Sequence, residues 1–499
     1  MISINCIPLD VLSLIPTHLS SQGDRLRATF VCRHWRRTFV QHGTLWSQIF
    51  LQKGEAYAKT LLECAKGSTL DVLINQDVPA PVMALLLPHA RRIKHLEFQN
   101  TLWEDIEKFS LTTSGSLPLL RTLKIAPGIG PNEVEQPVTI SPLSPPFFGS
   151  ALDLEEFTFD STPFRFLNHF VFPRITAFHL MMNIVPASGA SDLFEFLKAS
   201  PQLQTVTIGT AYEIDPEHIP KNMVIVLPNV ETFSLTSDGK NVYDVAVHIS
   251  CPRAKNTSLT YLTTDLNMSP GREVFSTSVA LNTIIHQYSR SPVEEATLEI
   301  KSIFSPCFLT FRSSDTSTIK LVFRLLAITE YEEDLTMTFS EIACEAFFQG
   351  IKAIRSHPQA SHIKCLRIIY RDTAPVLHQL VVISAEVDKL FESVGPLDKL
   401  ILDGDLRTYL AGITESVDLW EPIVFPPVKE LTISHPLMED REGHMSRIVK
   451  LVKSQHAKGM PFERVTVQAR SLPVEMEERL RPWVGIVDCC EEVGEHVEF

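Results

Sequence analysis

Residues 7–50 read IPLDVLSLIPTHLSSQGDRLRATFVCRHWRRTFVQHGTLWSQIF, and three helix-length runs share that short stretch. Pro8 suits a first helical position, where its missing N–H costs nothing, and Asp10 in the first turn favours the helix dipole. Leu12, Ile15 and Leu19 recur at near-helical spacing, with Pro16 placed to kink or end that helix. Ser21 followed by Asp24 marks a second start, beyond which Leu26 and Phe30 share a face. Val31, Trp35 and Phe39 follow at i, i+4 and i+8 on a third run interleaved with Arg33, Arg36 and Arg37, and Gly43 ends it. Segments below roughly 40 residues need outside help to stay folded. A trio this small has too little interior for Val31, Trp35, Leu45 and Trp46 together with its leucines. Its surplus apolar surface has to be covered by the rest of the chain or by a partner.

Ile7-Pro8 with Asp10, the spaced aliphatics, Val31-Cys32 followed by Trp35, and then Leu45-Trp46 closely resemble the F-box. That family's pattern is Leu-Pro, a spaced aliphatic helix, Val-Cys-x-x-Trp and a later Leu-Trp. Ile7 stands where the pattern has leucine, and Pro16 falls inside the first helix. The resemblance covers about a tenth of the chain, residues 1–50, with matches at both ends and in the middle.

Residues 51–499 carry a different pattern. Lys53 to Ala65 has helical periodicity, Gly67 breaks it, and Thr69 to Ile74 alternates like a strand. A triplet of apolar residues spaced i, i+3, i+5 then recurs: Ile93-Leu96-Phe98, Leu120-Leu123-Ile125, Leu154-Phe157-Phe159, Ile175-Phe178-Leu180, Leu203-Val206-Ile208 and Val230-Phe233-Leu235. It resumes as Ile363-Leu366-Ile368, Leu397-Leu400-Leu402, Val428-Leu431-Ile433 and Phe462-Val465-Val467, many copies following a proline or a loop. The last two apolar positions differ by two, so they point to one side of a strand while the residue between them points away. Helical stretches precede several copies: Asp192 to Lys198 with Ser191 as its cap, Glu341 to Ile354, and Arg441 to Val452. One strand and one helix per unit predict an α/β solenoid with parallel strands, each unit burying its apolar side against its neighbours. The pattern is similar to the leucine-rich repeat in an irregular form. An ordinary α/β domain with aliphatic strands is the competing reading.

Two segments leave the rhythm. Residues 126–150 are proline-rich and aperiodic and read as an inserted surface loop. Between about residues 237 and 335 the triplet fades, and Cys307 to Arg312 and Thr318 to Phe323 read as an antiparallel hairpin, or as part of a join between two sub-arrays. The tail from Asp488 to Phe499 carries only acidic charge and reads as a solvated end.

A formal net charge of −14 argues against a general nucleic-acid binder. Nine cysteines without zinc spacing suit a reducing compartment. With no basic, apolar leader and no run of about 18 apolar residues, the expected location is cytoplasm, nucleus or both. The triplets Asn256-Thr257-Ser258 and Asn267-Met268-Ser269 then read as chance matches to a glycosylation site. No enzyme signature stands up. Gly128-Ile129-Gly130 lacks a third glycine, Asp403-Gly404-Asp405 reads as a turn after a strand, and the histidines are dispersed. No cofactor or metal is expected.

The F-box resemblance implies a non-catalytic substrate receptor of an SCF-type cullin–RING ubiquitin ligase. The F-box would dock a Skp-family adaptor and, through it, the cullin and RING subunits. On that resemblance the adaptor-facing set is Pro8, Leu9, Leu12, Ile15, Leu19, Leu26, Val31, Cys32, Trp35, Leu45 and Trp46. Pro8, Leu9, Val31 and Cys32 are the better contacts, Trp35 divides between two roles, and some of the others are internal struts. A target protein of unknown identity would meet the concave side of the solenoid, where outward strand residues line up; these include His95, Lys124, Glu156, Thr207, Ser234, Arg367, Lys399, Glu430 and Arg464. The alternative is a repeat scaffold for protein–protein interaction, without ligase function, whose helical trio is an N-terminal cap. A weaker third reading is an enzyme with an unrecognised site in the hairpin region.

Overall fold

The computed structural model describes residues 8–19, 22–51, 54–75, 80–113, 117–128, 151–160, 172–182, 189–210, 224–238, 245–263, 293–300, 307–313, 318–325, 360–370, 389–404, 425–434, 441–468 and 474–490, with single positions between them. The chain divides into two units, Met1–Val230 and Glu231–Phe499.

The first unit opens with the helical trio: α1 (Leu9–Leu14), α2 (Gln22–Thr29) and α3 (Arg33–Gln41). Pro16 ends α1 as expected, converting the chain to a 3-10 turn over Ile15–His18. A second 3-10 turn, Gly43–Trp46, leads directly into strand β1 (Gln48–Phe50). The trio therefore does not end at a linker. β1 pairs in parallel with β2 (Leu70–Asn75), Ile49 opposite Val72, and helix α4 (Glu55–Ala65) makes the crossover. Gly43 marks how closely these parts approach, since a Cβ there would sit 2.6 Å from the Ala65 carbonyl oxygen and 2.7 Å from Ser68 Oγ.

From β2 the strands follow one another in order. Short helix α5 (Ala80–Ala84) precedes β3 (Ile93–Thr101), and α6 (Trp103–Thr113) precedes β4 (Thr122–Pro127). Then come β5 (Glu156–Asp160), β6 (Ala177–Met182), α7 (Gly189–Lys198), β7 (Thr205–Thr210) and the two-residue β8 (Ile225–Val226). Strands β2 to β7 are all parallel, with Leu96, Leu123, Phe157, Phe178 and Val206 in one register line and Phe98, Ile125, Phe159, Leu180 and Ile208 in the next. Every residue of both lines is buried. The helices cover that side, with Phe109 of α6 edge-on to Phe98 at 5.6 Å and Phe196 of α7 on Phe178 at 4.6 Å. α7 begins two residues earlier than Ser191, so that serine lies inside the helix and is not its cap.

In the first unit the first residue of a triplet closes a turn. Leu120, Ile175 and Leu203 donate their N–H to the carbonyls of Leu117, Phe172 and Ser200, each at 3.3 Å. Pro118, Pro173 and Pro201 occupy the second position of those turns, where a fixed φ is pre-set for the bend. The next residue then reaches the preceding repeat: Arg121 N–H to Lys94 O at 2.8 Å, Thr176 N–H to Glu155 O at 2.8 Å, Gln204 N–H to Thr176 O at 2.7 Å. These prolines are thus the hinge at which β4, β6 and β7 enter the sheet.

In the second unit β9 (Thr232–Asp238), the short β10 (Ile249–Ser250) and β11 (Asn256–Thr263) come first. The hairpin over 307–325 is present as β13 (Cys307–Ser313) and β14 (Thr318–Leu325), antiparallel, and a strand that the sequence reading did not anticipate, β12 (Val293–Ile300), joins it. β14 pairs with β11 and β12 pairs with β15 (Cys365–Tyr370), so the three antiparallel strands are built into the sheet and do not hang from it. β15, β16 (Leu397–Gly404), β17 (Val428–Ser434), β18 (Arg464–Gln468) and β19 (Ile486–Cys490) are again parallel and in chain order. Helices α8 (Arg441–Ala457) and α9 (Val474–Leu480) precede the last two strands. β19 corrects the reading of the tail, because Asp488 to Cys490 belong to a strand in register with β18. The proline-rich loop from residue 129 onward, most of Glu341 to Ile354 and residues 491–499 lie outside the described residues.

Cys251 opens the turn before β11 and is almost fully buried, and desolvation pushes its thiol up to about 12. The folded chain thus keeps a proton that an unfolded thiol, with a pKa of about 8.5, releases. The stability this group contributes is whole below about pH 8.5 and is lost as the pH rises from there to about 12. Iodoacetamide at pH 8.5 is expected to leave Cys251 unmodified in the native protein and to label it once urea unfolds the chain, as read by peptide mapping; labelling at equal rates in both states would contradict this burial.

Candidate functional site

The helical trio and the 3-10 turn after it enclose a small core, closed on one side by α4. Leu12, Phe39, Leu45 and Trp46 are buried, and the Trp46 indole N–H donates to the Phe39 carbonyl at 2.9 Å. Arg25 ties the outer turns together through Leu19 O and Leu45 O, both at 3.1 Å, and Arg36 Nε reaches Thr29 O at 3.1 Å. Cys32 caps α3, its sulfur accepting the Trp35 backbone N–H at 3.5 Å. The Cys-x-x-Trp spacing is what a side-chain cap onto the third helical residue requires.

That core divides the expected adaptor-facing residues. Leu12, Leu45 and Trp46 point inward. Ile15, Leu19, Leu26 and Cys32 are half-buried, and Pro8 is exposed at the head of α1. Val31 is 49% exposed. Trp35 is half-buried, stacked on Phe39 at 5.6 Å, and its Nε1 is shielded without a hydrogen-bond partner among the described residues. The Leu9 side chain lies outside the described residues.

Three exposed apolar residues were not among the expected adaptor-facing set: Val11 at 48%, Leu14 at 59% and Phe30 at 72%, the last lying beyond the end of α2 and not on a helix face shared with Leu26. Val11 and Leu14 are one helical step apart on the stripe of α1 away from Leu12. Phe30 stands in the turn between α2 and α3 beside Val31, with the Arg36 guanidinium 5.7 Å from its ring centre. The signal available in the sequence was the surplus itself, more large apolar residues than three short helices enclose.

The strand-face residues fall into two sets. In the first unit His95, Lys124 and Glu156 come together around one groove of about 390 Å³ on the outward face of β1 to β5. Lys124 Nζ pairs with Glu97 Oε1 at 2.8 Å. Thr207 lies further along the same face, in the register line of Lys124. In the second unit Lys399, Glu430 and Arg464 are consecutive cross-strand neighbours, with Arg464 held 3.8 Å from Glu430 and 3.4 Å from Asp488. Arg367 and Ser234 stand on β15 and β9 of that unit. Alternating signs opposite one another are cross-strand pairs that the sheet itself uses.

The motifs set aside as non-catalytic have structural places. Gly128 packs against backbone, where a Cβ would lie 2.5 Å from the Asn100 carbonyl oxygen, and Asp403 is buried at the end of β16. Among the described residues no group of three or more His, Cys, Asp or Glu is placed to hold a metal, and no helix is long and apolar enough to cross a membrane.

Against known families, the model for the F-box-like domain matches residues 4–52. Its span takes in all three helices, both 3-10 turns and β1. No curated protein matches the chain significantly.

Proposed function

We propose that the F-box-like domain of residues 4–52 docks a Skp-family adaptor through Pro8, Val11, Leu14, Phe30 and Val31, and that the outward strand faces hold a target protein. The chain would then be the substrate receptor of an SCF-type cullin–RING ubiquitin ligase, working in the cytoplasm or nucleus. The observation that carries this reading is a helical unit whose core is already enclosed by its own helices and α4 and that still leaves large apolar side chains in solvent. On this reading the chain forms no covalent intermediate. It holds a target lysine near the ubiquitin thioester carried by the rest of the complex, turning a bimolecular attack into an effectively intramolecular one.

A second reading, a scaffold whose helical trio caps the repeats, has an observation of its own. β1 is paired to the first strand of the repeat region, and Ile49 and Leu51 are buried. One experiment separates them. Purified full-length chain mixed with the Skp adaptor should form a complex that elutes as a single species; a cap alone forms none. Phe30→Ala together with Val31→Ala removes two exposed anchors without opening the core. At about 2 kcal/mol per anchor the loss is on the order of a thousandfold in affinity. Undiminished binding by the double variant would reject this docking surface.

A further inference from the structure

The groove on the outward face of the first unit has a definite charge order. Along one register line stand Gln48, Asp71, His95, Thr122 and Glu156, on β1 to β5. The neighbouring line begins with Phe50 and Leu73, and continues with the Glu97–Lys124 pair. The only lysine in the lining is thus matched by Glu97, and Gln99 Nε2 adds a second contact to the same carboxylate at 2.5 Å. Among the described residues the one side chain able to carry positive charge near Asp71 is His95, at 3.8 Å, beyond hydrogen-bond range. Glu156 pairs with no cation among the described residues. Two carboxylates are left facing solvent on one line, three strands apart.

We propose that this groove receives an extended segment of the target protein that carries two basic side chains four residues apart. Asp71 and Glu156 are three strand spacings apart, and at about 4.8 Å each that is about 14 Å. An extended chain advances about 3.4 Å per residue, so four residues cover the same span. An even separation also puts both basic side chains on one face of the segment, toward the sheet. Phe50 and Leu73 lie beside the Asp71 end, where they suit the aliphatic stem and planar head of an arginine. Phe50 belongs to the F-box-like domain, so the target would touch that domain directly as well as the repeats. The surplus of negative charge turns away nucleic acid and acidic or phosphorylated segments.

This inference deepens the receptor reading and rests on it, and its test keeps the two separable. The probe is a fluorescein-labelled nonapeptide with two arginines four residues apart in an alanine–threonine background, titrated into full-length chain and read by anisotropy. The expected result is saturable binding that weakens with added salt, at least tenfold weaker with Asp71→Asn or Glu156→Gln, and several-fold weaker when the arginines are three residues apart. A peptide with glutamates in place of the arginines should not bind. Equal binding of the glutamate peptide, no binding of the arginine peptide, variants within twofold of the parent, or full displacement by spermidine at equal charge would overturn the proposal. The same variants are run against the Skp adaptor. Peptide binding lost with adaptor binding kept confirms that the substitutions leave the fold intact; a parent that binds adaptor but no peptide sinks this inference alone, and one that binds peptide but no adaptor sinks the receptor reading.

Discussion

Trp46→Ala is expected to cost about 3–5 kcal/mol and to loosen the first repeat strands together with the helical trio. The side chain is 2% exposed, so its removal leaves a cavity between the 3-10 turn and α4, whose Leu61, Leu62 and Ala65 are buried there. The lost hydrogen bond matters less than the void. The Phe39 carbonyl keeps the His42 N–H at 3.1 Å, so no acceptor is orphaned. Spread of the damage follows from the connection, because β1 starts two residues after Trp46 and its Gln48–Phe50 ladder supplies the outer neighbour of β2. Hydrogen exchange read at the amides of β1 and β2 is the measurement, since a chain of two units has no single unfolding free energy. Protection should fall there by about the same 3–5 kcal/mol. Protection unchanged in β2 while the trio exchanges freely would show a tethered module instead. The same geometry warns against deleting residues up to Phe50 as a test of function, because that would leave β2 as a bare edge of unpaired backbone groups.

The repeat was legible because its chemistry is redundant. In every quoted triplet from Ile93-Leu96-Phe98 to Phe462-Val465-Val467 all three apolar positions are buried. A parallel strand covered on one side allows little else, since a slip of one residue would turn the whole set outward. The copies that were missed carry smaller or more polar residues in the same places. Ala254, Thr257 and Leu259 keep the spacing and the turn proline Pro252, and all three are buried, but alanine and threonine do not register as an apolar triplet. β19 was hidden by the acidic tail that follows it. Asp488 is the outward residue of a strand, 3.4 Å from Arg464, and its charge says nothing about its neighbours. β12 is beyond local reading, because its partners are β13 and β15 and the adjacent Glu294 and Glu295, with Glu299, break any apolar alternation along it.

The proposed docking surface was legible by half. Residue type marked the trio as over-supplied with apolar side chains, yet choosing which stripe of α1 faces inward takes the packing of α3 against it. Leu12 and Val11 are equally apolar and adjacent, and only the fold puts one inside and the other in water. Trp35 and Trp46 make the same point within one domain, since indole size alone does not separate a half-buried stacking ring from a core plug.

Phe178→Ala is the counterpart in the repeats, expected to cost about 3–5 kcal/mol for the cavity, with a further contribution from lost ring contacts at about 0.5–1.5 kcal/mol each. Its ring lies 4.6 Å from Phe196 and 6.0 Å from Phe157, and Phe157 in turn meets Phe172 at 5.4 Å. The cluster joins β5, β6, helix α7 and the turn before β6, so one truncation unseats both strand neighbours and the helix that covers them. Phe178→Leu keeps most of the volume and should cost under half as much, which separates packing from ring-specific effects. Because each repeat is held chiefly by the ones beside it, the loss should be local: hydrogen-exchange protection falls in β5, β6 and β7 and is retained in β1 and β2. A uniform fall across all of the first unit would mean that its strands open as one cooperative block. The groove on β1 to β5 and the helices proposed to face the adaptor would then share their stability with a phenylalanine cluster several strands away, and variants in that cluster would weaken the proposed adaptor binding without touching its surface.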